Sequence, residues 1–541
     1  MTAVERTSPT QGVPAEGEWP WPGYRTVPAR LNIAAEVLGR QIERGFGPRP
    51  ALVHDGGVTT YEELHRGATA LAANLAGLGL KRGDLVLFLL PSSVEFAVSF
   101  LGTLQAGAIP VLVNSLLGMA DLEAILERTE PRWAITESSR AGVVRALRPS
   151  SSIERLICAG GAAAGELAWE SLVQGRAETF AGADTAADEP AFIVCTSGTT
   201  AKPKAIVHAH RWIVALGDLN RYRLPPREND VVMATGEWSF ISALGHNLLF
   251  PLRNGVTGAI LGGRATVENI LSAVERHRVT VLYSVATVYR RMLAEPDFEK
   301  RYDLRSLRCA HSTGEALREA TYGEWKRRVG CELYEHYGVS EYQLVVGHGS
   351  RHPVKPGSVG RLLPGTAVEI LNDDLRSVPP GELGHFAIST KDPGLFLGYY
   401  RDAARTEAAI RDGWYLTGDL AYRDQEGYFF IAGRKDDCFK SRGIFISPVE
   451  IENALQEHPD VIEAAVVPLP DREIGNRIRA VVVPRDRRAP SNRLAEAIRS
   501  HLRARLAPYK VPHVVEFADS LPKSPIGKIL RSALVPGEER R

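Results

Sequence analysis

Short apolar runs of strand length alternate with segments of helical period along the first three hundred residues. Leu85–Leu90 and Ala108–Val113 flank Val94–Leu104, whose apolar residues recur at helical spacing. Similar strand-length runs follow downstream at Asp230–Ala234, Thr257–Leu261, Val279–Ser284 and Leu307–His311. Strands connected through helices run parallel and require helices on both faces of the sheet. We therefore predict the α/β class, with a large N-terminal domain of parallel sheets and flanking helices.

The texture of the sequence changes twice after this region. Residues 356–400 contain short strand-like runs broken by Pro and Gly, which predicts a small β unit. A smaller α+β module follows Asp436, with helices predicted at Pro448–Glu457 and Arg493–Ala507. We predict an N-terminal surface arm over residues 1–30, a large domain over residues 31–435, and a small mobile C-terminal domain over residues 436–541.

Composition excludes several classes of function. The formal net charge is +1, so no global charge attracts nucleic acid or an anionic membrane. The five cysteines are scattered, which argues against a disulfide framework and favours a reducing compartment. The most apolar stretch, Leu85–Leu117, is interrupted by charged and proline residues, so no transmembrane segment is expected. The N-terminus has no apolar signal region, and we expect a cytoplasmic enzyme that is a monomer or homodimer.

One segment has the residue types that hold phosphate. A predicted strand, Ile193–Cys195, runs directly into Thr196-Ser197-Gly198-Thr199-Thr200-Ala201-Lys202-Pro203-Lys204. Hydroxyl and backbone N–H groups donate to phosphate oxygens, and lysine supplies positive charge. Pro203 stands where a Walker A loop would have its second glycine, so the segment is not of that type.

This segment resembles the phosphate loop of the adenylate-forming superfamily, which includes acyl-CoA synthetases, peptide-synthetase adenylation domains and beetle luciferases. Further blocks resemble that family in the same order, over roughly residues 30–535. They are Ser312–Ala316, Tyr334–Glu341, Tyr415–Asp419, Gly433–Asp437, Lys440–Gly443 and Pro522–Lys528. The stretch around residue 240 looks more similar to benzoate-type and medium-chain acyl-CoA ligases than to amino-acid adenylation domains. The resemblance also implies a place among ligases of bacterial natural-product pathways.

The resemblance implies a binding site for ATP or AMP, in which Tyr337 stacks on adenine and Asp419 binds the ribose hydroxyls. Glu341 would reach Mg²⁺, a hard cation that prefers oxygen ligands. The implied nucleotide-binding residues are Thr196, Ser197, Gly198, Thr199, Thr200, Lys204, Gly314, Glu315, Ala316, Glu335, His336, Tyr337, Gly338, Ser340, Asp419, Ile431 and Arg434.

The resemblance also implies two half-reactions at one site, exchanged by rotation of the small domain about Asp436. Lys528 would act in adenylation, whereas Lys440 and Gly443 would line the path of the coenzyme A thiol. Together with Glu341 they form the predicted catalytic set. The predicted acyl pocket is formed by Trp238, Phe240, Leu244, Gly245, Ser312, Thr313 and Val339.

We predict an acyl-CoA ligase that joins a bulky apolar carboxylic acid, such as an aryl, alicyclic or terpenoid-like acid, to coenzyme A. One departure from the family leaves an alternative open, because Ala201 and Ala205 stand where glycine is usual. A Cβ there can block close approach of the backbone to phosphate. The alternative is a ligase descendant that depends on a companion adenylating enzyme and only transfers acyl groups from acyl-AMP. A non-catalytic adenylate-binding protein is the third possibility.

Overall fold

The computed structural model describes residues 20–115, 117–174, 180–196, 203–471, 473–485, 491–523 and 529–535. These residues form two compact units. The first comprises residues up to Val368 together with Ile388–Tyr415, and the second comprises Glu369–Ala387 together with residues from Leu416 onward. The second unit therefore begins earlier than the predicted boundary at residue 436.

The first unit contains two sheets, and the first of them has a parallel centre. Its strands in spatial order are Gly360–Leu362, Val346–Gly347, Glu332–Tyr337, Cys309–Ser312, Val281–Ser284, Val231–Ala234, Thr257–Ala259, Pro50–His54 and Gly57–Thr60. The strands from Glu332–Tyr337 to Pro50–His54 pair in parallel, whereas the outer strands pair antiparallel. One face of this sheet packs on four helices through a core that includes the fully buried Met233, Leu282 and Leu333.

The second sheet of this unit has the same construction. Its strands in spatial order are Gly398–Tyr399, Lys204–Ala209, Pro190–Thr196, Ile109–Leu112, Leu85–Leu89, Trp133–Glu137, Arg155–Ala159 and Leu167–Ala168. The central strands pair in parallel, and the hairpin of Pro190–Thr196 with Lys204–Ala209 is antiparallel. Outside this sheet, the short strand Ile410–Arg411 pairs with Trp414 and Tyr415.

Helices cover the strands of the first unit. The α-helices are Arg40–Glu43, Tyr61–Gly77, Val94–Gln105, Met119–Thr129, Ser138–Leu147, Trp169–Leu172, Trp212–Arg223, Ile241–Ala243, Phe250–Asn254, Val267–Arg276, Ala286–Ala294, Phe298–Arg301, Glu319–Val329 and Ala403–Ala409. Ala35–Gly39 and Leu244–Leu249 are π-helical, and Arg148–Ser150 is a 3₁₀ turn. The helix Tyr61–Gly77 begins with a capping box, in which Thr60 and Glu63 satisfy each other's backbone N–H groups.

The second unit is built from smaller sheets. It contains all or most of the strands Val368–Leu371, Gly384–Ser389, Trp414–Arg423 and Tyr428–Arg434 in one sheet, the pair Phe439–Ser441 and Ile444–Ile446, and the set Val461–Asp471, Gly475–Pro484 and Val514–Phe517. Its helices are Pro448–Gln456 and Asn492–Arg503, with 3₁₀ turns at Pro508–Lys510 and Arg531–Leu534. The strands Trp414–Arg423 and Tyr428–Arg434 form an antiparallel hairpin, in which Asp419 lies opposite Arg434.

The predicted fold class is confirmed, since parallel sheets with flanking helices are followed by a smaller α+β unit. The prediction of a surface arm over residues 1–30 is wrong for Tyr24 and Arg25, which are buried at 3% and 8% exposure. A buried acceptor for Arg25, Asp392, accounts for this difference. In the described part of the chain, no helix has the length and apolar character needed to cross a bilayer.

Candidate active site

The predicted phosphate segment joins two paired strands at the carboxyl edge of the second sheet. Thr196, the last residue of one strand, is the Cα partner of Lys204, the first residue of the next. Ligands of α/β proteins bind at this edge of a parallel sheet. The other predicted phosphate-binding residues of this segment, Ser197, Gly198, Thr199 and Thr200, lie outside the described residues, as does Ala201.

Glu341 lies in a small polar group beside this hairpin. Its carboxylate is 5% exposed, accepts a hydrogen bond from the Tyr399 hydroxyl at 2.7 Å, and lies 3.6 Å from the Lys204 ammonium. The ammonium also lies 5.3 Å from the centre of the Tyr399 ring. Burial, followed by the charge of Glu341, raises the pKa of Tyr399, so its hydroxyl remains a donor. A lysine and a buried carboxylate are thus placed together beside the predicted phosphate segment.

The loop before Glu341 is fixed by two close contacts. His208 contacts the carbonyl oxygen of Ser340 at 3.0 Å. Gly338 lies against the backbone of Gln343, where an added Cβ would come within 1.6 Å of the carbonyl oxygen. Only glycine fits so close an approach. These two contacts therefore constrain the backbone of the turn from Tyr337 to Glu341.

Successive residues of the strand Glu332–Tyr337 face opposite sides of the sheet. Glu335 accepts a hydrogen bond from the backbone N–H of Leu317 at 2.9 Å, and burial raises its pKa to about 8. His336 lies on the other side, with its ring 4.9 Å from that of His246. The ring of His336 is thus packed among other histidines, and its role in nucleotide binding stays a prediction.

The predicted adenine segment follows the strand Cys309–Ser312. Gly314 has a φ of +81°, which suits glycine, and the N–H of Thr313 bonds to the Ser284 carbonyl at 3.1 Å. The Glu315 carboxylate accepts from both the N–H and the hydroxyl of Thr287, at 3.0 and 2.6 Å. Glu315 therefore fixes this segment to the helix Ala286–Ala294, and Ala316 is exposed beyond it.

The predicted acyl-pocket residues differ in their surroundings. Trp238 is fully buried, and its indole N–H donates to Asn247 at 2.8 Å. Phe240 and Val339 are half-buried, whereas Leu244 and Gly245 are buried. Of the remaining predicted members, Ser312 ends a strand of the first sheet and Thr313 follows it. Trp238 thus belongs to the core, where its ring packs on Phe96, and its role in an acyl pocket stays a prediction.

The second unit holds the predicted ribose-binding residues. Asp419 and Arg434 are paired across two antiparallel strands, with Nε 3.3 Å from the carboxylate. The guanidinium also donates to the Thr417 carbonyl at 2.8 Å. Ile431 pairs with Ala421 in the same hairpin. A carboxylate supported in this way can accept two hydrogen bonds in parallel from a vicinal diol.

The remaining predicted residues also belong to the second unit. Lys440 lies in a hairpin whose two turn residues, Arg442 and Gly443, both have positive φ, at 52° and 75°. This geometry matches a tight two-residue hairpin turn. Asp436 is exposed in the turn after Arg434. Lys528 lies outside the described residues.

Sequence reasoning missed a buried network around Tyr342, the residue after Glu341. The Arg25 guanidinium bonds to Asp392 at 2.5 Å and to the Tyr342 hydroxyl at 3.1 Å, and that hydroxyl donates to Asp392 at 2.7 Å. The Arg25 N–H donates to Asp218 at 2.7 Å. These residues are distant in sequence and form no local motif, so only the fold could reveal them.

Among the described residues, no group of three or more His, Cys, Asp or Glu side chains is arranged to hold a metal ion. A single carboxylate is sufficient for Mg²⁺ that is also held by nucleotide phosphates and water. Glu341 beside Lys204 therefore fits a metal that arrives with its nucleotide.

Comparison with known proteins identifies the family. A model of the AMP-binding enzyme matches residues 40–400, and a model of the AMP-binding enzyme C-terminal domain matches residues 450–528. The chain belongs to the AMP-binding enzyme family. The resemblance to adenylate-forming enzymes is therefore confirmed.

Curated relatives match this AMP-binding enzyme over nearly its whole length. An uncharacterised acyl–CoA ligase of Bacillus subtilis is 36% identical, covering 89% of this chain and 90% of that protein. A benzoate–CoA ligase of Thauera aromatica is 33% identical, with 94% and 96% covered.

Solved structures agree with these relatives. An anthranilate CoA ligase in complex with anthranoyl-AMP has a TM-score of 0.88 at 30% identity, covering 94% of this chain and 97% of that chain. A benzoate CoA ligase from Burkholderia xenovorans has a TM-score of 0.83 at 31% identity, covering 93% and 99%.

Proposed function

We propose that this protein is an acyl-CoA ligase that joins a carboxylic acid with an aromatic or similarly bulky apolar body to coenzyme A. The reaction proceeds through an acyl-AMP formed from ATP. The observation that carries the proposal is the group formed by Glu341, Lys204 and Tyr399 beside the phosphate segment. In this group, the buried Glu341 carboxylate can bind Mg²⁺, and the Lys204 ammonium can offset the negative charge of a phosphate.

The chemistry requires stabilisation of negative charge that accumulates when a carboxylate attacks a nucleotide phosphate. Mg²⁺ and positioned lysines offset this repulsion. Bound Mg²⁺ would be held by Glu341 and would polarise the phosphate oxygens. In the second unit, Asp419 would accept the ribose hydroxyls, supported by Arg434. Lys528 would contact the acid and the phosphate in adenylation, and the Lys440–Gly443 hairpin would line the thiol path.

The acid class is supported by the relatives. Those with assigned substrates include ligases of benzoate and of 3-hydroxybenzoate, and one structural neighbour holds anthranoyl-AMP. The half-buried Phe240 and the buried Leu244 supply apolar surface for such a ring. The natural-product setting and the cytoplasmic location stay predictions, as do the oligomeric state and the companion enzyme.

The alternative of a ligase without its own adenylation gains no support from Ala205. This residue lies in the strand Lys204–Ala209, opposite Cys195, and its methyl group belongs to the buried core of the second sheet. Its φ is not positive, so alanine is unstrained there. The expectation that Ala205 crowds a phosphate is wrong, and the alternative rests on Ala201 alone.

Two assays on the purified protein test the proposal. Pyrophosphate release from MgATP with benzoate reports adenylation, and acyl-CoA formation from supplied benzoyl-AMP reports thioester formation. The proposal expects both activities. Thioester formation without pyrophosphate release would support the alternative, and loss of both with every acid tried would overturn the assignment.

Asp419→Ala provides the matched site variant. We expect it to weaken AMP binding by about 1.5–3 kcal/mol, the range for hydrogen bonds that involve a charged group. Asp460→Ala removes an exposed carboxylate of the same unit and serves as the control. Equal nucleotide affinity of both variants in calorimetry would show that the nucleotide site is misplaced.

A further inference from the structure

Residues 235–240, which we call the bridging loop, link the two sheets of the first unit by hydrogen bonds. The loop follows the strand Val231–Ala234 at the carboxyl edge of the first sheet. Ser92 and Ser115 follow the carboxyl ends of two adjacent parallel strands of the second sheet. Both serines bond to the bridging loop, so the carboxyl edges of the two sheets meet at this loop.

Glu237 joins the bridging loop to the second sheet. Its carboxylate accepts from the Ser115 hydroxyl at 2.6 Å and from the Ser115 N–H at 3.2 Å, and from the Ser239 hydroxyl at 3.3 Å. Ser115 and Ser239 are buried, and Glu237 is half-buried. Hydrogen bonds to a carboxylate are stronger than bonds between neutral groups, so these contacts hold the loop firmly.

The rest of the bridging loop is fixed as well. The Trp238 N–H donates to the Ser92 hydroxyl at 2.9 Å, and the hydroxyls of Thr235 and Ser284 lie 2.6 Å apart. Ser284 ends the adjacent parallel strand of the first sheet, and its carbonyl oxygen accepts from the Thr313 N–H at 3.1 Å. The loop is therefore bonded to both sheets and, through Ser284, to a predicted acyl-pocket residue.

The bridging loop ends at Phe240, which is also a predicted acyl-pocket residue. The Phe240 N–H donates to the Glu237 carbonyl oxygen at 2.9 Å, so these two residues are the first and last of one tight turn. The Leu244 N–H donates to the Phe240 carbonyl oxygen at 2.9 Å, so the turn leads directly into the next helical segment. Because the turn begins at Glu237, the bonds of its carboxylate affect where the turn places the half-buried Phe240 ring.

We propose that Glu237 is a positioning residue, whose bonds to Ser115 and Ser239 hold the Phe240 ring in place against the apolar body of the acid substrate. This inference rests on the proposed function, and it adds a residue that acts on the acid through another side chain. Such support matters because a displacement of about 1 Å in a contacting group can cost about a hundredfold in rate.

Glu237→Gln tests the proposal, because glutamine has nearly the same size and its amide nitrogen cannot accept from a hydroxyl or an N–H. Acyl-CoA formation with coenzyme A in excess gives KM for the acid that the wild type converts best, and KM for MgATP. We expect KM for the acid to rise about tenfold, whereas KM for MgATP should change by less than about twofold, because the predicted nucleotide-binding residues lie on other elements.

Ser115→Ala removes the shortest bond to Glu237 and should change the two KM values in the same direction as Glu237→Gln. Ser139→Ala is the matched control, because Ser139 also donates to a carboxylate, that of Glu137, at the end of another strand of the second sheet. It should leave both KM values unchanged. KM does not depend on the fraction of protein that is folded, so partial unfolding cannot imitate the expected result.

Phe240→Ala tests whether Glu237 acts through the Phe240 ring. In a protein that already contains Phe240→Ala, Glu237→Gln should raise KM for the acid by less than about twofold, because the ring that it positions is absent. A further rise of about tenfold in this background would show that Glu237 acts by another route, and would overturn the proposal.

Two results with the single variants would also overturn it. Unchanged KM for the acid in Glu237→Gln and Ser115→Ala would leave Glu237 with a structural role only, while the ligase assignment stands. Equal rises in KM for the acid and for MgATP would show that the effect is not confined to the acid. If the wild type converts no acid, from ATP or from its acyl-AMP, the ligase assignment itself fails and the inference falls with it.

Discussion

At the scale of single residues, Tyr399 is the most informative side chain that the sequence did not reveal. Its hydroxyl donates to Glu341, and its ring lies beside the Lys204 ammonium. Tyr399→Phe removes the hydrogen bond and keeps the ring. We expect kcat for pyrophosphate release to fall about ten- to a hundredfold and the Mg²⁺ requirement to change, because a hydrogen bond to a charged group is worth about 1.5–3 kcal/mol.

The neighbouring Tyr400→Phe is a suitable control for this experiment. Tyr400 adjoins Tyr399 in sequence and packs at the edge of the second sheet's core. Thioester formation from supplied acyl-AMP should be spared in both variants. An unchanged Mg²⁺ dependence in Tyr399→Phe would contradict the proposed link between Tyr399, Glu341 and the metal.

Ala205 permits a second prediction at this scale. Ala205→Gly should leave adenylation unchanged, because the methyl group is buried in the core and the backbone is an ordinary strand. The change should lower the free energy of unfolding by about 0.5–1 kcal/mol, as glycine does within a strand. Urea denaturation and pyrophosphate release measure the two effects. Faster adenylation in Ala205→Gly would indicate that the methyl group of Ala205 does hinder phosphate binding.

At the scale of elements, the strand Glu332–Tyr337 has a buried acid on one side and a buried histidine on the other. The pKa of Glu335 is raised to about 8, so the folded protein keeps a proton that the unfolded chain releases above its ordinary value of 4.5. The folded state is therefore favoured below pH 4.5 and loses that advantage as the pH rises toward 8.

Glu335→Gln tests this account, because glutamine can still accept from Leu317 and has no charge. We expect the variant to exceed the wild type in free energy of unfolding by up to about 3 kcal/mol near pH 7, with the gain vanishing near pH 4.5. Urea denaturation of both proteins between pH 4.5 and pH 7 measures this difference in the free energy of unfolding. A gain that is the same at every pH would mean that Glu335 is not protonated in the folded protein.

The elements also show what the sequence could and could not predict. The strands Val231–Ala234 and Val281–Ser284 were predicted within two residues, because buried parallel strands are short apolar runs bounded by turns. The π-helical segment Leu244–Leu249 has no such signature, and its geometry brings His246 onto Tyr283. His246, Tyr283 and His336 come from distant segments of the chain, so their contact depends on the packing of the whole sheet.

At the scale of the whole molecule, the hinge at Asp436 stays a prediction. Asp436 is the third residue of the turn closed by the bond from the Asp437 N–H to the Arg434 carbonyl. Proline there fixes φ near −65° and disfavours the helical conformation of Lys435. We expect Asp436→Pro to lose one half-reaction and keep the other, and Asp436→Ala to keep both. Equal loss of both activities in a folded variant would contradict a hinge.

The buried bond between Arg25 and Asp392 has a practical consequence for anyone who trims this enzyme for expression. A chain shortened to begin at Leu31 loses the cation and leaves a buried carboxylate unpaired, a loss that typically costs about 3–5 kcal/mol. The same cut removes the Arg25 donor to the hydroxyl of Tyr342, which then keeps only its bond to Asp392. Such a truncated protein would be poorly folded, although every residue of its nucleotide motifs were present.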